Sequence, residues 1–421
     1  MKEGKDTSPS ISKDPGFSPI SFIAKRIGNV QKESFSHLVS RIATSSIAVG
    51  LAVMLISFTI LHGFKKTIQD KIFTFSSHLQ ITKYDVSNSF EESPISTRTP
   101  LYHTKGGIEN IDRIQVFSQK PGLIKTENEV SGVIVKGVST DFYLENFKGN
   151  IIAGEFINFK DTSYSKDIML SKKISDKLNI DLKDTILIYF VQNPPRFRKL
   201  IVSGIYETGL EELDDYVILG DIRLNQKLNG WNDTLVGGYE IFLKDFNQLD
   251  TTAQSVFENM EYDMQMEKVT DKYIQIFDWL RLLNRNVIIF LILILFVACF
   301  NMISTLLIMI MERTNMIGVL KALGATNYQI RSIFVYRGIF IIAKGMIYGN
   351  LIGLGLCALQ YYFNIIPLNP ENYYMSHVPI EWSWLGIAAI NAITFIMICF
   401  VLLVPVVIIS NIKPVKAIKF D

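Results

Sequence analysis

Residues 286–311 read NVIIFLILILFVACFNMISTLLIMIM, with no charged side chain between Arg285 and Glu312. A bilayer's hydrocarbon core is about 30 Å thick and takes roughly 20 apolar residues of helix at about 1.5 Å each. The stretch meets that length, and a soluble core has no place for it. Three more segments pass the same test: 42–64, between Arg41 and Lys65, then 338–363 and 384–409. The expectation is an α-helical integral membrane protein with four transmembrane helices and an α+β extracytoplasmic (periplasmic) domain, residues 65–280, between the first two.

Charge separates along these boundaries. Overall, 42 Lys and Arg nearly balance 40 Asp and Glu. Residues 1–41 carry 7 basic against 4 acidic side chains, residues 65–280 carry 25 against 32, and residues 281–421 carry 10 against 4. Lys25, Arg26, Lys32 and Arg41 precede the first span. Arg313, Lys321, Arg331 and Arg337 lie in the 312–337 loop, and Lys413, Lys416 and Lys419 in the 410–421 tail. The 364–383 loop has Glu371 and Glu381 but no Lys or Arg. Short basic loops stay cytoplasmic, so both termini are expected inside and residues 65–280 outside. The first twenty residues are polar and carry no cleavable signal pattern. Ile20, Phe22, Ile23 and Ile27 then suggest an amphipathic surface helix near 20–35.

The third span carries one charge, Lys344, near enough to its Arg337 end for the stem to reach the interface. It also carries Gly345, Gly349 and Gly353 at four-residue spacing, a face that lets another helix approach closely. Cys299, Cys357 and Cys399 all lie in apolar runs. They read as small buried side chains, and the outer domain has no disulfide framework.

In the outer domain, alternation marks strands at 78–84, 114–118, 131–138, 185–191, 199–206 and 239–243. Helical spacing marks 166–178, 221–228 and 249–260, and an amphipathic stretch at 271–285 runs into the second span. Phe64, Ile68, Ile72 and Phe73 continue the first span outward as a helical stalk. Pro194 and Pro195 end the strand and force a turn, making 192–197 a hairpin tip or short loop. Glu211, Glu212, Asp214 and Asp215 lack the alternating ligands and central glycine of a calcium loop and read as a solvated acidic loop.

Several chemistries have no footing in the sequence. It holds no phosphate-cradling Gly-Lys-Ser/Thr loop, so no ATPase site of its own is expected. His37, His62, His78, His103 and His377 are scattered without metal-ligand spacing. Neither a serine elbow nor His-Glu-x-x-His occurs, no acidic residue lies within a span, and nothing suggests nucleic acid. No directly bound cofactor is expected, and work must be powered from elsewhere.

Between the second and third spans the chain reads Ile317-Gly-Val-Leu-Lys-Ala-Leu-Gly-Ala325. Residues 317–323 form helix, Gly324 ends it, and Thr326 with Asn327 starts the next. This segment resembles the coupling helix of the FtsX/MacB superfamily of ATP-binding-cassette permeases, here with Met316 where many members have an acid. The closing Pro414-Val-Lys-Ala-Ile-Lys-Phe420 is similar to that family's tail. Ile47-Ala-Val-Gly-Leu-Ala-Val53 and His62-Gly-Phe64, followed by His78-Leu-Gln-Ile-Thr82, look like lipoprotein-releasing (LolC/LolE-type) permeases.

The resemblance implies that Ile317, Gly318, Leu320, Lys321, Leu323, Gly324 and Ala325 couple to a separate LolD-like ATPase subunit, which holds the ATP and magnesium. It implies a second permease subunit, identical or related, in a bacterial inner membrane, with lipoprotein as cargo. In that family one permease type carries a long hairpin hook that recruits a periplasmic carrier; 192–197 is too short for a full hook, which leaves a carrier open as a partner. Candidate walls of an acyl-chain cavity are Val53, Met54, Ser57, Phe58 and Leu61 on the first span, with Phe296, Phe300 and Ile303 on the second. Two other readings fit the same family: a MacB-like exporter of small molecules or peptides, and an FtsX-like transmitter that moves no substrate and controls a periplasmic partner.

Overall fold

The computed structural model describes residues 35–85, 92–126, 129–160, 163–192, 194–369, 373 and 375–408. The surface helix expected near 20–35, Glu371 and the 410–421 tail lie outside the described residues. Two compact units are present: Met1–Gly63 with Leu283–Ile365 and Pro379–Asp421, and Phe64–Leu282 with Ile366–Val378.

Among the described residues, four helices are long and apolar enough to cross a membrane. They are Phe35–Phe75, Ile274–Glu312, Asn327–Phe363 and Trp384–Ile408. The first two extend past the apolar runs at their outer-domain ends, and the third starts eleven residues before 338. In the membrane unit, Ile47, Met302, Leu306, Phe334, Ile342 and Leu402 form a buried core drawn from all four. Side-chain amides add polar pins. Asn350 Nδ2 donates to Asn391 Oδ1 at 2.7 Å and Asn391 Nδ2 returns a bond at 3.1 Å. Asn301 Nδ2 donates to Ser46 Oγ at 2.6 Å. Asn350 and Asn391 each also donate to a carbonyl four residues back in their own helix, Met346 O and Ile387 O, and the bonds across to the neighbouring helix tie the two together in hydrocarbon. Cys299 and Cys357 are buried and Cys399 half-buried, all three free.

Among the described residues, the second unit is built on twelve strands: β1 (Leu79–Lys83), β2 (Ile95–Ser96), β3 (Ile111–Lys125), β4 (Val130–Val138), β5 (Ile151–Gly154), β6 (Asp167–Ser171), β7 (Thr185–Phe190), β8 (Arg196–Tyr206), β9 (Val217–Asp221), β10 (Leu235–Val236), β11 (Gly238–Leu243) and β12 (Met264–Lys268). The large sheet runs β12-β1-β11-β3-β4-β9-β6-β8-β5, and β2 pairs with β10 apart from it. β7 pairs with both β8 and the far end of β3, so β3, β4, β9, β6, β8 and β7 close into a barrel. Val135, Ile168, Ile188, Leu200, Val202 and Ile218 fill it.

β3 belongs to both halves. Its first part pairs with β11 as far as Phe117, and its last part pairs with β7 from Gly122. Pro121 falls in the gap between those partners, where the N–H that proline lacks is not required by either. At Gly122 a Cβ would come within 2.8 Å of Ile188 Cγ2, so the bare backbone admits β7. The open half packs Leu79, Ile81, Ile114, Tyr239 and Ile241 against the helix Leu249–Asn259.

The sequence places a helix over 166–178, but the structure has β6 followed by Lys172–Leu178. Residues 168–171 are buried on both faces, so the period-2 signal vanishes. Ser171 then caps the helix by accepting from Ile174 N at 3.1 Å. β9, also buried on both faces, escapes for the same reason. The acidic segment is not a solvated loop either. Asp214 is buried and accepts from Thr208 N (3.1 Å), Thr208 Oγ1 (2.9 Å) and Gly209 N (2.9 Å), while Lys173 pairs with Asp215 at 2.8 Å.

A charge cluster missed in the sequence lies inside this unit. Lys136 Nζ of β4 meets Glu240 Oε1 of β11 at 2.6 Å, both side chains being about 5% exposed. It also donates to Phe75 O at 3.1 Å, at the end of the first long helix. Gln115 Nε2 of β3 holds Glu240 Oε2 at 2.7 Å. Removing one partner strands a buried charge, so Lys136→Met should cost about 3–5 kcal/mol, measured by thermal or denaturant unfolding of the purified chain.

His78 is also buried, packed 4.2 Å from the Phe73 ring, with Nδ1 accepting from Leu243 N at 2.9 Å. Burial pushes its pKa down from 6.5 to about 4. The imidazole is therefore neutral when folded, and its contribution is complete above 6.5 and is lost as pH falls through 4. That loss should reach about 3 kcal/mol. His78→Asn should flatten the dependence in a pH series of melting curves.

Candidate coupling site

The helix Thr314–Ala322 follows the second long helix after a single-residue break at Arg313. Ile317 and Gly318 are fully inside, against Met309, Ile310, Ile330 and Phe334, with Leu320 and Ala325 packed on the rim. This anchors one face. Gly324 follows at φ +88°, the left-handed conformation that suits glycine, and Ala325 N bonds back to Leu320 O at 2.9 Å. The next helix begins with a capping box: Thr326 Oγ1 accepts from Gln329 N at 3.3 Å and Gln329 Oε1 accepts from Thr326 N at 2.9 Å.

The opposite face is open. Leu323 is 79% and Tyr328 76% exposed, with Val319 at 50% and Lys321 half-buried at the edge. The expected coupling residues thus divide. Ile317, Gly318, Leu320 and Ala325 hold the helix in place; Leu323 points away, and Gly324 shapes the turn. Val319 and Tyr328 were missed, although Val319 lies four residues before Leu323 on one helix face. An anchored helix with an apolar outer face is suited to docking in a groove.

The glycine row is set against the first long helix. A Cβ on Gly345 would lie 2.9 Å from Ile47 Cβ, one on Gly349 2.8 Å from Ala48 O, and one on Gly353 3.0 Å from Ala52 Cα. Gly355 faces nothing within 4 Å. At the His62-Gly63-Phe64 junction a Cβ would lie 2.6 Å from Pro379 O, so the fourth helix's lead-in passes directly over that glycine.

The candidate cavity residues do not form one wall. Val53, Phe296 and Phe300 are exposed, the two rings 5.3 Å apart. Ser57, Phe58, Leu61 and Ile303 are half-buried, and the Phe58 ring lies on Gly386. Met54 departs from the expectation: it is 3% exposed, packed with Leu51, Leu55 and Ile387, because its side of the helix turns inward. Among the described residues, no His, Cys, Asp and Glu group could hold a metal.

Residues 40–256 match the MacB-like periplasmic core domain and residues 288–414 the FtsX-like permease C-terminal region. The chain belongs to the FtsX/MacB superfamily of permeases. Within it, the chain is similar to lipoprotein-releasing system transmembrane proteins. It is 23% identical over 401 residues to LolC of Buchnera aphidicola subsp. Schizaphis graminum, covering 90% of this chain and 92% of the relative. It is 23% identical over 422 residues to LolC of Haemophilus influenzae, covering 96% and 99%, and 22% identical over 384 residues to LolE of the same organism, covering 85% and 88%.

The glycine geometry gives a direct test. Gly349→Leu should push the first and third helices apart at a cost of about 1–3 kcal/mol, read as a lowered melting temperature in detergent. Gly355→Ala should leave melting unchanged.

Proposed function

We propose that this chain is the permease subunit of an ATP-driven complex that extracts lipoproteins from the outer leaflet of a bacterial inner membrane for delivery to the outer membrane. What carries the reading is the near end-to-end similarity to lipoprotein-releasing transmembrane proteins, over 90% or more of both partners in two cases. The basic loop at Arg313, Lys321, Arg331 and Arg337 sits in the cytoplasm, as do both termini, and the MacB-like domain is periplasmic. A LolD-like ATPase docks on Val319, Leu323 and Tyr328 and binds the ATP and magnesium. Nucleotide-driven closure moves the Thr314–Ala322 helix, which is continuous in packing with the membrane core through Ile317.

A second permease subunit, identical or related, covers the open apolar face of Ile42, Val49, Val53, Phe296 and Phe300. The acyl chains of the cargo pass between the two subunits at the bilayer-facing side of Val53 and Phe296. A periplasmic carrier receiving the cargo would meet the β7–β8 hairpin, whose Tyr189 and Phe197 rings are exposed near its tip.

Leu323→Asp combined with Tyr328→Asp should weaken ATPase co-purification about tenfold or more while membrane insertion is retained. Cells carrying it should strand outer-membrane lipoproteins in the inner membrane, as fractionation and immunoblotting would reveal. Normal lipoprotein sorting after depletion of the whole protein would refute the assignment.

A further inference from the structure

The soluble unit contains a pocket of about 480 Å³ that the transport reading does not use. Its floor is a sheet face. Leu79 and Ile81 of β1 point into the apolar core, so Gln80 and Thr82 occupy the other side of the pleat. Gln80 sits opposite Glu267 of β12, and Thr82 opposite Gln265. Gln119 of β3 lines the pocket, and Lys272, in the one-turn helix Val269–Lys272 that follows β12, completes it. Only Met266 among the lining side chains is apolar.

The polar groups are incompletely satisfied by the protein. Gln265 Nε2 donates to Thr82 Oγ1 at 3.1 Å. Lys272 Nζ donates to Gln80 Oε1 at 2.7 Å. An ammonium has three donors, yet among the described residues Lys272 has no carboxylate within ion-pair distance. Glu267, on the same strand-to-helix turn, likewise has no side-chain hydrogen bond or ion pair among them. One cation, held by Gln80, and one exposed anion therefore line a single pocket that also presents amide side chains. Pockets for apolar ligands are lined mainly by hydrophobic side chains; this one is not.

We propose that the pocket binds a peptide-like zwitterion, an amino acid or short peptide, with its carboxylate on Lys272 and its ammonium on Glu267. The Gln80, Gln119 and Gln265 amides match the ligand's peptide groups, each offering both a donor and an acceptor. Burial holds the Lys272 pKa below its ordinary value, with Lys136 adding repulsion, while Glu240 and Glu267 act in the opposite direction. A bound carboxylate supplies the counter-ion that Lys272 lacks among the described residues. The site is independent of lipoprotein release and needs no ATPase.

Calorimetry on the full chain in detergent, with triglycine as the probe, tests this. Triglycine should bind saturably, triglycine amide at least tenfold more weakly, and N-acetyl-triglycine more weakly than triglycine. Lys272→Met should weaken triglycine at least tenfold, and Glu267→Gln should remove the penalty for N-acetylation, with circular dichroism unchanged. Free glycine binding as well as triglycine assigns the site to an amino acid, and weaker glycine binding assigns it to a peptide. Absence of saturable triglycine binding, or equal binding of either blocked form by the wild-type chain, overturns the proposal whatever the variants do.

Discussion

The soluble unit depends on where one lysine puts its charge. Lys136 reaches inward from β4 and joins Glu240 of β11 to Phe75 O, one of the carbonyls that a helix leaves without a partner at its C-terminal end. A cation there also complements the helix dipole, and the Phe75 ring lies 4.6 Å from the ammonium. Glu240 uses its second oxygen on Gln115, whose own carbonyl accepts from Tyr143 N at 3.0 Å. Two charges out of water cost several kcal/mol each, and this arrangement offsets that by occupying each oxygen. It also fixes register, since a one-residue slip of β4 would turn Lys136 to the opposite face. The long helix thus ends on a charged, directional seat in the sheet rather than on an apolar cushion.

The membrane unit solves a different problem. Lipid offers no hydrophobic drive for helix association, so contact must come from close fit and from polar groups that bond across facing helices. The glycine row brings the third helix onto Ile47, Ala48 and Ala52 of the first, and the reciprocal Asn350–Asn391 pair ties it to the fourth. Ile317 and Gly318 extend the same packed interior to the short helix beyond the second span, leaving Leu323 and Tyr328 outside. A helix held on one face and bare on the other can receive force without being free to rotate away.

The spans were legible because their signal is length without charge, which no packing detail can erase. The coupling helix was legible from Gly324 and Thr326, whose conformational preferences act locally. Alternation disclosed β1, β4, β7 and β11 because one face of each carries a different chemistry from the other. It failed at β6 and β9, where both faces are apolar, and it gave no warning that β7 would return to β3 and close a barrel. Lys136 and Glu240 were visible as charges inside strand patterns, but their pairing joins positions 104 residues apart. Met54 was misplaced because composition alone does not tell which side of an apolar helix faces its neighbours. Val319 and Tyr328 went unremarked for the converse reason: exposure, not residue type, singles them out.

β1 lies between β11 and β12, its residues aligned with Gly238–Ile241 on one side and Met264–Lys268 on the other. The first strand made is therefore completed by β12, the last of the named strands. Loop closure across so long a stretch is slow, and until it happens β1 has two naked edges. During synthesis the nascent segment must wait, partly folded, until the ribosome has passed Lys268 and is about to make the second span. Insertion of that span and completion of the sheet are consequently near-simultaneous events, and a chain stalled before them is an exposed substrate for proteolysis and for pairing with its own copies.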